Sequence, residues 1–273
     1  MNKAATIVAD LRSKAEARGG DNNALLLDFI DACFNGMPEG VLTSRSPQAL
    51  FASVCEQFDI ICQPRMPGQP RAIIRPLDGS EGRCDMALIT VADDIPFLVD
   101  SVRMELNRHG YSIHTLQNSV FSVRRDKNGQ LLEILPRGTQ GEGVLQEALM
   151  FLEIDRCASS AELKTLEKAI HEVFGDVRMS VADFQPMKAK ARELLAWLDR
   201  AKLKVDKTEL EEIKVFLSWL LDDHFTFLGY EEFTVAPSAE GGTMVYDEKS
   251  LLGLSKRLRS GLKADELHIE PEA

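Results

Sequence analysis

The chain has 273 residues, 44% of them hydrophobic and 27% charged, with a formal net charge of −11. That length builds one large domain or two small ones, and the acidic balance argues against broad nucleic-acid binding and against adhesion to anionic membranes. No apolar run reaches the roughly eighteen residues that span a bilayer, and charges at Asp10, Arg12, Lys14 and Glu16 leave no apolar core for a secretory signal. Cys33, Cys55, Cys62, Cys84 and Cys157 are widely spaced and form no CxxC, which points to reduced thiols in a cytoplasmic protein rather than a disulfide scaffold or a zinc site.

Residues 1–80 read as mostly helical. The stretch DNNALLLDFIDACFNGMP opens on an Asp/Asn cap and stops at Gly36 and Pro38. SPQALFASVCEQFDII opens on Ser46 with Pro47 at the first helical position, and Leu50, Phe51, Val54 and Phe58 recur at helical spacing. A Pro/Gly-rich link, QPRMPGQPR, precedes AIIRPL, read as a short edge strand because its proline removes a ladder donor. DGSEGR, polar and glycine-containing, is the expected boundary.

From Met86 the texture changes. MALITVA is a compact apolar run of strand length. A helix is predicted from about Pro96 to His109, with Leu98, Val102 and Leu106 on its buried stripe and Gly110 ending it. In YSIHTLQNSVFSVRR the alternation changes phase near Gln117–Ser119, which predicts a bulge or a break there. A hairpin with Asn128-Gly129 in its turn follows, then a Gly-containing loop, then the strand ALMFLEIDR with Met150, Leu152 and Ile154 on one face. SSAELKTLEKAIHEVFG carries a capping box, Ser159 and Glu162, a stripe of Leu163, Leu166, Ile170 and Val173, and a terminating Gly175. Strands grouped beside helices predict an α+β fold, one sheet with helices on one face.

Two more helices are expected. One places Ala191, Leu194, Leu198 and Ala201 on one face; the other opens on Asp206 and Glu209 and carries a stripe of Leu210, Ile213, Leu217 and Leu220. Their short link implies a helical hairpin. HFTFLGYEEFTV and GTMVYDE then read as strands, and the polar tail ELHIEPEA suggests a piece of something longer. The expected organisation is a helical segment over 1–80, an α+β domain over 84–180, a helical hairpin over 183–222 and the strand-rich start of a further unit over 223–273.

Motifs for chemistry are scarce. RGTQGEG has its glycines in the wrong order for a dinucleotide fingerprint, and no P-loop, G-x-S-x-G or HExxH occurs. Asp222, Asp223 and His224 together are a possible metal set, equally explained as a helix end passing through solvent into a strand. No catalytic and no metal-binding residue is assigned. Asp93 and Asp94 precede a helix; Asp94 as a cap and Pro96 in the first turn explain that joint without a ligand.

The stretch Asp94-Ile95-Pro96-Phe97-Leu98-Val99, the helix after it and Gly110-Tyr111-Ser112-Ile113 resemble the start of an ACT domain, D-x-P-G-L-L, with Phe97 in place of the family's glycine. The resemblance implies a ligand site at Asp94, Ile95, Pro96, Phe97 and Leu98, with an amino acid's carboxylate on the free N–H groups of the helix start. More extensively, DDIPFLVDSVRMELNRHG, VRRDKNGQLLEILPRG, ALMFLEIDR and FLSWLLDDHFTFLGYEEF resemble the N-terminal region of the very large bacterial NAD-dependent glutamate dehydrogenases, over roughly residues 20–255. This implies a regulatory and assembly region of an enzyme that deaminates glutamate to 2-oxoglutarate. NAD would belong to the parent enzyme and no cofactor to this chain. Its expected partners are the rest of the parent polypeptide, other copies of itself and an amino-acid effector. The alternatives are a free-standing amino-acid-sensing module and a purely structural oligomerisation domain.

Overall fold

The computed structural model describes residues 3–35, 37–43, 45–77, 86–155, 159–238, 241–260 and 267–269. The expected boundary at DGSEGR, the stop at Gly36, Cys84, Cys157 and most of the polar tail lie outside them. The chain divides into two compact units, Met1–Phe174 and Gly175–Ala273.

The first unit opens with helices α1 (Lys3–Arg18), α2 (Asn23–Phe34), the short α3 (Glu39–Leu42) and α4 (Pro47–Ile61). The Ser46 hydroxyl accepts from Ala49 N–H at 3.2 Å and Pro47 occupies the first turn, so α4 starts as its sequence predicts. A five-stranded antiparallel sheet follows: β1 (Arg71–Pro76), β2 (Met86–Asp93), β3 (Ile113–Arg125), β4 (Leu131–Leu135) and β5 (Val144–Ile154), in the order β1-β2-β5-β3-β4. Helix α5 (Leu98–Arg108) joins β2 to β3, and because β5 lies between those strands the three elements form a split βαβ unit.

Both faces of this sheet are covered. Ala87, Ile89 and Val91 of β2, Leu149 and Phe151 of β5 and Phe121 and Val123 of β3 share one core with α1, α2 and α4. Phe29, fully buried, packs edge-on against Phe121 at 6.3 Å and tilted against Phe58 at 5.7 Å, which joins α2 to the sheet and to α4. Alternation sends Leu88, Thr90, Met150, Leu152 and Ile154 the other way. They are equally buried, as are Leu98, Val102 and Leu106 of α5 and Leu166 and Ile170 of α6 (Ser160–Leu198). The α+β architecture with α5 and α6 beside the sheet is the expected one; the strands' all-apolar texture reflects the second cover of N-terminal helices.

Three local expectations are corrected. Strand β3 is continuous through Gln117–Ser119, its irregularities falling at Ile113/Thr115 and Arg124/Arg125. The pattern breaks there because Gln117 and Ser119 are polar yet buried: Gln117 bonds Gln57 and Ser119 bonds the Cys33 carbonyl. Helix α6 does not stop at Gly175. It runs on through Pro186 to Leu198, since a glycine in open surroundings only weakens a helix. Leu166 and Ile170 are buried on it as expected, while Leu163 and Val173 are half-buried.

The second unit contains the later half of α6, α7 (Lys207–Trp219), a turn of π-helix at Leu220–His224, and short strands β6 (Gly229–Tyr230), β7 (Phe233–Ser238), β8 (Gly241–Tyr246), β9 (Leu252–Gly253) and β10 (Leu267–Ile269), with α8 (Ser255–Leu258) between the last two. Asp206 caps α7 by accepting from Thr208 and Glu209 N–H. The stripe expected on α7 is not buried: no residue of the helix is, and Ile213 is 41% and Phe216 57% exposed. Leu194 on α6 is exposed as well. The later half of α6 buries Val177, Met187 and Leu198, the last of these from the expected stripe, and is also fastened by ions: Asp183 accepts from Gly253 N–H and Lys256, and Asp176 meets Arg257.

Candidate functional site

The strand-to-helix turn is built where β2 runs out. Asp93 pairs with Glu147 of β5 in the ladder, and Asp94 N–H extends that edge by donating to the Gln146 carbonyl at 3.0 Å. Pro96 and Phe97 then turn the chain, and α5 opens with Ser101 N–H on the Phe97 carbonyl. Phe97, not Asp94, is therefore the N-cap residue, and no side chain caps the first turn. Pro96 precedes the helix rather than starting it. The reason is the backbone of Phe97, at φ 70° in the left-handed region, which belongs to the turn and delays the helix by two residues.

This turn gathers Asp94, Ile95, Phe97 and Leu98 with Val99, Asp100, Asn118 and Ala148 around a cavity of about 100 Å³; Pro96 is not in its lining. Leu98 is buried and belongs to the core, whereas Phe97 is 52% exposed. Pockets for drug-sized ligands take roughly 300 Å³ or more, and the cavity as it stands, well below that, holds a fragment. The free N–H groups at the start of α5 favour an anion; the carboxylates Asp94 and Asp100 oppose one.

Sequence reasoning missed what stands behind the turn. Glu147, fully buried in β5, accepts from two guanidinium groups: Arg65 Nε and Nη2 at 3.1 and 2.7 Å, and Arg125 Nε and Nη2 at 2.7 and 2.9 Å. Arg65 Nη1 reaches Asp93 Oδ1 at 2.9 Å, and the other Asp93 oxygen accepts Gly68 N–H at 2.6 Å. Arg125 also donates to the carbonyls of Ile61, Gln63 and Gly129. Two cations and two carboxylates cancel, and the donors are shared among side chains and carbonyls, the condition under which buried charge is tolerated. The cluster fixes the Pro/Gly-rich link to β2, β3, β5 and the β3–β4 turn. A carboxylate inside the apolar run QEALMFLEI was the one available signal, because an ionised residue in a doubly covered strand requires a buried partner.

That turn is tight against the link. Gly129, at φ 82°, donates to Asp126 and accepts from Arg65 N–H at 2.9 Å; a Cβ on it would lie 2.7 Å from the Arg65 backbone. Burial raises the Cys33 thiol far above its ordinary range and pushes Cys62 up to about 11. Cys33, Cys55 and Cys62 are free thiols. Glu105 on α5 is held below the usual carboxylate range by hydrogen bonding to Arg108, against the opposing effect of burial, with His109 adding to the lowering.

Among the described residues no group of three or more His, Cys, Asp or Glu side chains is placed to hold a metal ion. Asp223 of the Asp-Asp-His run is bound by Lys188 at 2.6 Å, and no described helix is long and apolar enough to cross a membrane.

A split βαβ sheet with its helix entered through a strand-to-helix turn and ended at a glycine places the chain in the ACT-like class of α+β modules. The chain belongs to the family described as glutamate dehydrogenase, ACT1 domain, whose pattern matches residues 29–170, from α2 through the whole sheet into α6. It is 69% identical over 180 residues to an NAD-specific glutamate dehydrogenase of Pseudomonas aeruginosa, covering 66% of this chain and 11% of the relative. To the enzyme of the same description from Halomonas elongata it is 30% identical over 278 residues, covering 97% of this chain and 17% of the relative. A third, from Mycobacterium tuberculosis, is 30% identical over 165 residues, 60% of this chain and 10% of its own length. The chain thus spans less than a fifth of the length of these relatives.

Proposed function

We propose that this chain is the N-terminal regulatory and assembly region of a large NAD-dependent glutamate dehydrogenase. The parent enzyme deaminates L-glutamate oxidatively to 2-oxoglutarate with NAD, in the cytoplasm, and its catalytic groups lie outside this chain. The observation that carries the reading is the family match across the entire sheet, together with relatives several times longer than this chain. The organisation over 1–80, 84–180, 183–222 and 223–273 is retained as the proposal for how the region is divided. An amino-acid effector is proposed at the Asp94–Leu98 turn, where opening of the small cavity by movement of Phe97 makes room for it.

Self-association is supported by one sheet edge. β4 pairs with β3 only from Ser122 to Arg125, and Pro136 follows directly after Leu135. Among the described residues Ile113–Phe121 therefore has a strand on one side only. That stretch, IHTLQNSVF, has no Lys, Arg, Asp, Glu or Pro, the residues that ordinarily protect an edge.

The experiment is a comparison of the full-length enzyme with a form lacking residues 1–273 and with the isolated chain. The isolated chain is expected to form no NADH from glutamate and NAD. The shortened enzyme is expected to keep chemistry while losing effector response or assembly. Glutamate-dependent NADH formation by the isolated chain, or a shortened enzyme identical in mass and regulation to the intact one, refutes the reading.

A further inference from the structure

The outer edge of β1 carries an unmet need. Ile74 N–H points outward and is accepted by Glu167 Oε1 of α6 at 2.9 Å. Outward N–H groups recur every second residue along a strand, so Ala72 N–H points the same way, while Pro70 and Pro76 have none. Ala72 is 8% exposed, and its N–H finds no acceptor among the described residues. Buried backbone donors are almost always paired.

Beside it sits an uncompensated cation. Arg71 Nη1 donates to Gln63 Oε1 at 3.1 Å and Nη2 to the Pro64 carbonyl, both neutral acceptors. Its Nε is buried and has no acceptor. Among the described residues no carboxylate pairs with Arg71, although the protein as a whole is acidic, at −11. Arg71 and Ala72 line a cleft of about 230 Å³ together with Gln69, Arg65 and His171 of α6, and no acidic side chain lines it. Arg65 is already answered by Glu147 and Asp93. Glu167, one turn before His171, is occupied at Ile74 N–H and is not in the lining.

We propose that this cleft binds the carboxylate or phosphate group of a small anionic molecule, anchored by the Arg71 guanidinium and Ala72 N–H, with His171 at the rim. Arg71 Nε–H and Ala72 N–H are donors on consecutive residues, and an oxyanion in the cleft supplies two oxygens for them, one bond being charge-assisted and so of the stronger sort. The cleft is too small for a dinucleotide and suits a small acid or phosphate. The site is separate from the Asp94–Leu98 turn and does not rest on the regulatory reading: an anion binds here whether or not it affects an enzyme.

The test is titration of the 273-residue chain with inorganic phosphate and, separately, with succinate, following the Ala72 amide and Arg71 Nε–H resonances. At least one ion is expected to give a saturable, one-to-one shift of both signals, and the tighter of the two identifies the head group. Arg71→Gln is expected to weaken binding about tenfold or more, as loss of a charge-assisted hydrogen bond does. If Arg71→Gln proves unfolded by circular dichroism, Arg71→Lys keeps the charge but removes the Nε donor, and a clear loss of affinity is expected there too. Absence of a saturable shift with both ions, or wild-type affinity in a folded Arg71 variant, overturns the proposal.

Discussion

Phe97 holds a backbone conformation that L-residues other than Asn and Asp seldom adopt, at a cost of about 1–2 kcal/mol. Its ring is half exposed, so little burial offsets that cost. Phe97→Gly is expected to stabilise the chain by about 1 kcal/mol, read from the midpoint of urea unfolding; a destabilised variant would show that the ring holds the turn. Glu147 is the opposite case. Glu147→Gln leaves two buried guanidinium groups short of charge and is expected to cost about 3–5 kcal/mol, whereas Asp94→Ala, with no cap bond to lose, stays within about 0.5 kcal/mol. Comparable losses in the two variants would place the anchor of the turn at Asp94 after all.

At the scale of elements, α5 and α7 look alike in sequence and behave differently. Both carry apolar residues at helical spacing, but Leu106 is fully buried on α5 while α7 buries none of its residues. Leu106→Ala is expected to cost about 2–5 kcal/mol, and Ile213→Ala on α7 less than about 1 kcal/mol, in matched denaturation curves. A large loss at Ile213 would mean that α7 is covered in solution. Gly175 sits inside α6 with open space where a Cβ would go. Gly175→Ala is expected to raise stability by about 0.5–1 kcal/mol; a loss there would mark Gly175 as a hinge.

For the whole molecule, the two sheet edges differ in how they are protected. β1 has Arg71, Arg75 and Pro76 along it and Glu167 on its outward Ile74 N–H, while β3 beyond the end of β4 is uncharged. Self-association is therefore expected through β3, and Asn118→Lys, placing a charge on that edge, is expected to give monomer where the unaltered chain sediments as dimer or larger. A monomeric wild type at high protein concentration, or an association indifferent to Asn118→Lys, counts against pairing there.

The sequence by itself determined the elements whose signals are local. Ser46-Pro47 starts α4, Ser159 and Glu162 cap α6, Asp126 to Gly129 make the hairpin turn, and Leu98, Val102 and Leu106 mark the buried side of α5. Each depends on residues within a few positions of one another, so their chemistry can be read along the chain. Only the tertiary structure decided the rest. Gln117 and Ser119 look like a break in β3 until Gln57 and the Cys33 carbonyl arrive from distant helices to satisfy them. Gly175 looks like a stop until α6 is seen to continue through it and through Pro186. The helix start at Asp94–Leu98 was legible as a joint, but its cap was misplaced because a positive φ at Phe97 leaves no mark in side-chain pattern. The Arg65–Glu147–Arg125 cluster draws its members from a link and two strands far apart in sequence. Long-range pairing of buried charge has no period and no fixed spacing, and it exists only once the chain has folded.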